Sequence, residues 1–98
     1  MKLWFDWVGC KKDLNGKAHL WGVLRCVDEI YSKRFIVWGA ASSRAYQREL
    51  THFNDAFGKK SQKINEGYRP ITQTDIERKW PDFMDDLEMQ FMLDKLTQ

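Results

Sequence analysis

Cysteine and proline are scarce in this chain, with two of each among 98 residues. Two thiols, Cys10 and Cys26, cannot build the disulfide framework of a small secreted domain. They fit a reducing cytosol, with both thiols free, better than a staple between them. A cytoplasmic location is therefore the expectation. No apolar run approaches the roughly 18–20 residues of a membrane span, which argues against a membrane partner. The opening residues Met1-Lys2-Leu3-Trp4-Phe5-Asp6 bring an acid early and lack a small-residue cleavage pattern, so no signal peptide is expected. Histidine is limited to His19 and His52. Together with Cys10 and Cys26 they match none of the usual zinc-pair spacings, so no metal or cofactor is expected. Neither a Ser/His/Asp constellation nor a glycine-rich phosphate loop is present, and the chain does not read as an enzyme.

Aromatic residues are plentiful, at five Trp, six Phe and three Tyr. Each contributes a large apolar area, so a chain of this length can close one core but has no room for a second. Charge is unevenly placed. Residues 1–72 carry 13 Lys/Arg against 7 Asp/Glu, and residues 73–98 carry 3 against 7, so +6 and −4 make the net +2. A basic body can meet phosphates or an acidic protein surface, and the acidic segment could also fold over it.

Leu3–Cys10 reads as a strand, with Leu3, Phe5 and Trp7 alternating with Trp4, Asp6 and Val8. Asn15-Gly16 marks a hairpin turn. Ala18–Val27 returns with His19, Trp21, Val23 and Arg25 on one face, and Leu20, Gly22, Leu24 and Cys26 on the other. Arg34–Ala40 is a nearly continuous apolar run, as in a central strand. Ser42-Ser43 then opens a helix. Tyr46, Leu50, Phe53, Phe57 and Ile64 would form its apolar stripe, and Gly67 would end it. Tyr68–Ile71 is extended and could add a strand. Thr74-Asp75-Ile76-Glu77 matches a capping box for a short helix ending at Trp80. Pro81 opens a last helix whose first turns hold Asp82, Asp85 and Asp86.

The expected fold is α+β: a three- to four-stranded antiparallel meander packed by a long helix from about Ser43 to Glu66, with an additional acidic C-terminal helix from about Pro81 to Leu96. The chain forms a single domain, 1–98, in which 1–71 is the sheet-plus-helix body and 72–98 an acidic helical extension.

The strand ending Phe35-Ile36-Val37-Trp38-Gly39, the helix after it and Lys63-Ile64-Asn65-Glu66-Gly67-Tyr68 resemble a WGR domain over residues 1–71. The family's motif has Arg where this chain has Ala40. The resemblance implies antiparallel strands leading to the signature, a helix across the sheet, and nucleic-acid contact with Trp38 as the stacking residue. Ala40 cannot supply the family's guanidinium.

Two surfaces are candidates for binding. Lys11, Lys12, Lys17, Lys33, Arg34, Arg44 and Arg48, with Lys59, Lys60 and Lys63 on the helix, could contact nucleic-acid phosphates beside Trp38. Phe83, Met84, Leu87 and Phe91, flanked by Asp82, Asp85 and Asp86, could instead dock a protein partner or a second copy as a homodimer; the same stripe could also close the chain's own core. Asp85, Asp86 and Glu88 read as solubilising charges and not as catalytic acids. A non-catalytic protein-interaction regulator or inhibitor is the leading expectation, and the size and aromatic richness suit a phage-encoded one acting on a host protein. A nucleic-acid-binding module is the alternative.

Overall fold

A computed structural model describes residues 2–28, 32–41, 47–51 and 53–97, with 47–50, 53 and 94–97 described by backbone alone. The elements run β1 (Lys2–Lys12), β2 (Ala18–Val27), β3 (Ser32–Ala40), β4 (Gln47–Thr51), α1 (Phe53–Asn65), β5 (Arg69–Pro70), α2 (Gln73–Lys79) and α3 (Pro81–Thr97). The strands form one antiparallel sheet in the order β4-β3-β2-β1-β5, the last strand having only two residues. The α+β arrangement and the meander are as the sequence predicts, and β3 is internal.

The β1–β2 hairpin is set by its turn. Gly16 takes φ 77°, where a side chain would be strained. Asp13 organises the loop: Oδ1 accepts from the backbone N–H of Asn15 at 2.8 Å and of Lys17 at 3.0 Å, and Oδ2 lies 3.0 Å from His19 Nε2. These contacts, with the His19 hydrogen bond first, hold the Asp13 carboxyl below its ordinary value of 3.8. Folding lowers this pKa, so the contribution of Asp13 is complete above the unfolded value and disappears as pH falls through the folded one. The Asn15 and Lys17 amide resonances should therefore titrate with a midpoint below 3.8, and Asp13→Ala should remove that titration. A midpoint at or above 3.8 would contradict this account of the turn.

The register breaks between Phe5 and Trp7, where β1 carries one extra residue opposite β2. Phe5 faces Leu24 and Trp7 faces Val23. The simple alternation expected for Leu3, Phe5 and Trp7 therefore fails. Leu3 and Phe5 join one face with Val8, while Trp7 turns to the other beside Trp21.

The helix expected from Ser43 begins only at Phe53. Residues 42–46 lie outside the described segments, and Gln47–Thr51 pairs with β3 as a strand. The physical reason is the edge of β3. An apolar strand left unpaired would expose a row of N–H and C=O groups, and β4 satisfies them. The predicted stripe is lost with the shift: Phe57 and Ile64 are 55% and 45% exposed. α1 buries Ala56 instead and leaves Lys59, Lys60 and Lys63 half-buried. The helix runs through Gly58 unbroken and ends as expected. Gly67 takes φ 105°, its N–H bonds Ile64 O, and the Tyr68 N–H bonds Lys63 O at 3.0 Å.

β5 pairs with β1 at Gly9 and Cys10. The α2 cap is Thr72 in place of the expected Thr74, with Oγ1 accepting from the Asp75 N–H at 3.1 Å. From the first turn of α2, Gln73 Oε1 accepts the outward N–H of Phe5 at 3.0 Å and so covers part of the β1 edge.

α2 and α3 cover the face bearing Leu3, Val8, Leu20, Leu24, Cys26 and Val37. α1 packs on the opposite face, over Trp21, Val23 and Ile36. The C-terminal helix is therefore neither beside α1 nor an extension. It closes the larger core.

Candidate binding face

Phe83, Met84, Leu87 and Phe91, expected to be available to a partner, are at most 7% exposed. Phe83 lies 6.5 Å from the Phe5 ring and Phe91 meets Phe35 edge-on at 4.9 Å, centroid to centroid. Their place as a partner-binding set is corrected: they fill this chain's own core, because α3 is the cover for a sheet face that α1 does not reach. What α3 turns outward is a different set. Asp82, Asp85, Glu88, Met89, Met92 and Leu93 are exposed, with Asp86 half-buried.

Among the described residues the basic side chains do not make one patch. Lys11, Lys12 and Lys17 stand at the hairpin end of the sheet, with Lys11 and Lys12 on opposite faces. Lys33 pairs with Cys26 and Lys11 with His19, seven residues apart along β2. At 3.3 Å per residue that separates them by about 23 Å. Arg34 is held by Asp6, whose Oδ2 accepts from its Nε at 3.1 Å. Arg44 and the side chain of Arg48 lie outside the described residues. Trp38 is half-buried directly across from Trp21, packed against the smaller core, and Ala40 stands opposite His19.

A tighter arrangement occupies the face that α1 crosses. The ammonium groups of Lys11 and Lys63 lie 5.9 and 5.7 Å from the centroid of the Tyr68 ring. Lys60 lies 5.6 Å from the Trp7 ring and 5.1 Å from Phe57. Glycines permit this closeness. A side chain on Gly9 would come within 2.5 Å of the Trp7 ring and 3.1 Å of Tyr68 Cβ, and the Lys11 stem passes beside Gly67. A shallow apolar pocket lined by Asp6, Trp7, Val23, Ala56, Phe57 and Lys60 opens next to α1. At the far end of this face, Arg25 lies over Trp4 at 5.8 Å. The Arg25 contact with Asp6, at 3.5 Å, is an ion pair only; its Nε is shielded from water and finds no hydrogen-bond acceptor.

The sequence shows Lys60 and Lys63 among the cations, but it puts Trp7 with Leu3 and Phe5 and offers Tyr68 only in the Gly67-Tyr68 motif and as the start of an extended segment. The spacing of Lys60 and Lys63, three apart on a helix, with a turn-forming Gly67 just before Tyr68, was the available signal. Trp7 had none, because only the bulge brings it to this face.

Burial pushes the Cys10 pKa up, with Lys79 and Lys12 offsetting part of that, and a protonated thiol is a poor attacker. Among the described residues no three His, Cys, Asp or Glu side chains gather as a metal site, and no helix is long and apolar enough to cross a membrane. Comparison with family models, with curated proteins and with solved structures finds no match to this chain.

Proposed function

We propose that this protein is a non-catalytic binding module and that the face crossed by α1 holds nucleic acid. The observation that carries the reading is the pair of ammonium groups, on Lys11 and Lys63, set against one ring, Tyr68. With Lys60 over Trp7, three cations from two separate elements converge on neighbouring aromatic rings. Clustered lysines attract phosphates, and aromatic rings beside them stack bases. The resemblance to WGR domains points the same way. Here the cations come from Lys11, Lys60 and Lys63, since Ala40 offers none.

Fluorescence anisotropy with labelled oligonucleotides tests this. Binding should weaken with salt at a log–log slope of about −2 to −3, as expected for three neutralised phosphates. Replacing Lys11, Lys60 and Lys63 together with Gln should flatten the slope and weaken binding at least about tenfold. Absence of binding in low salt, or indifference to the triple substitution, would refute the reading.

A second reading, a small regulator or inhibitor of another protein, is favoured by the outward side of α3. Met89, Met92 and Leu93 are each more than half exposed and lie beside Asp82, Asp85 and Glu88. That pattern suits a basic protein surface with an apolar centre. The same titrations carry this test. Met89→Glu with Met92→Glu should leave oligonucleotide binding unchanged if the α1 face is the working surface, and should abolish a nuclease-resistant complex with a protein if α3 is.

A further inference from the structure

Resting on the nucleic-acid reading, we infer that the α1 face selects unpaired strands over duplex. Four features of the face carry this. First, the cations lie against ring faces: Lys11 and Lys63 on Tyr68, Lys60 on Trp7 and Phe57. A planar base can take the place of an ammonium group there, and only an unpaired base exposes its own face to do so. Second, the rings are held in place from beneath. The Trp7 ring is laid over Gly9, and Tyr68 follows the fixed Gly67 turn. A preset ring loses little freedom on stacking. Third, the pocket beside Trp7 and Phe57 is apolar on its floor, with Lys60 and Asp6 among its lining, so it admits the edge of a base or a sugar. Fourth, three of the other described cations are badly placed for a duplex. Lys33 and Arg34 lie at the far end of the sheet, Arg34 is held by Asp6, and Lys12 points to the other face.

The geometry therefore assigns one base to Tyr68 and another to the Trp7–Phe57 pocket, with phosphates at Lys11, Lys60 and Lys63. Lys63 now pairs with Glu66 at 3.1 Å. Both groups are at the surface, so a phosphate can replace that carboxylate at small cost.

The experiment uses the full chain with three labelled probes: a 15-nucleotide oligo-dT, the matching oligo-U, and a mixed-sequence duplex of 15 base pairs. Anisotropy and intrinsic tryptophan emission are read together. Both single strands should bind at least about tenfold tighter than duplex, and saturation should quench tryptophan emission through Trp7. Tyr68→Leu should weaken single-strand binding about tenfold while Tyr68→Phe retains it. A thermal melt confirms that both variants fold. Should Tyr68→Leu not fold, the ratio of single-strand to duplex affinity in the unaltered chain decides the selectivity. Duplex bound as tightly as single strands, or emission unchanged at saturation, overturns the strand selectivity while leaving a nucleic-acid binder. Failure of every probe to bind at low salt overturns both. A preference between oligo-dT and oligo-U decides whether DNA or RNA is the ligand within the supported class.

Discussion

A chain that stops at Ile71 should be unfolded in water. The truncation removes Ile76, Phe83, Met84, Leu87 and Phe91, which fill the larger core and cover Leu3, Val8, Leu20, Leu24 and Val37. Full burial of side chains of this size stabilises by about 1.5–3 kcal/mol each. Losing five of them removes on the order of 10 kcal/mol, which matches the whole stability of a typical domain. A single substitution should show the same dependence. Phe83 is 1% exposed and fully enclosed, so Phe83→Ala should cost about 3–5 kcal/mol. Urea unfolding followed by far-UV circular dichroism measures both. A cooperative transition for the 71-residue fragment near that of the intact chain would mean that α3 is peripheral. The sequence alone suggests that 1–71 is the body and 72–98 an addition; the packing makes them one unit.

Gly22→Val should destabilise the sheet. A Cβ at Gly22 would come within 2.7 Å of two Phe5 ring carbons and 3.0 Å of the Trp7 carbonyl oxygen. The ring cannot easily move, because Phe5 also packs 6.5 Å from Phe83 under α3. Overfilling a packed site costs about 1–3 kcal/mol, occasionally more. Valine's better fit to a strand returns at most about 1 kcal/mol. The loss should shrink when Phe5 is also reduced to Ala, since the two positions share one space. A double-mutant cycle by urea unfolding reads that coupling. If Gly22→Val proves as stable as the parent, the Phe5 ring does not rest where the structure has it.

The long strands were legible because they obey local rules. Ala18–Val27 sends Trp21 and Val23 to one face and Leu20, Leu24 and Cys26 to the other, Asn15-Gly16 fits its turn, and Gly67 ends α1 with the positive φ that the sequence suggests. The errors came where distant parts of the chain decide. Gln47–Thr51 carries no strong strand pattern and is a strand because β3 needs an edge partner. Trp7 changes face because of one inserted residue, which no periodicity reports. The apolar stripe of α3 was visible, but whether it met a partner or the sheet depended on which side of the sheet α1 took. The proposed binding face was least legible of all. Its rings and cations come from β1, α1 and the residue after Gly67, and only the bulge and the α1 turn assemble them.

The two sides of the sheet differ in sign. Among the described side chains on the side of α2 and α3, Asp75, Glu77, Asp82, Asp85, Asp86 and Glu88 outnumber Lys12, Lys33, Arg78 and Lys79, while on the other side Lys11, Lys59, Lys60 and Lys63 gather around α1 against Asp6, Asp55 and Glu66. Among the described side chains, charge is thus separated through the thickness of the sheet. Near any long polyanion the molecule would rotate before touching, one side drawn in and the other pushed away. A docked copy would then present its methionines to the surrounding solution, already aimed at whatever arrives next.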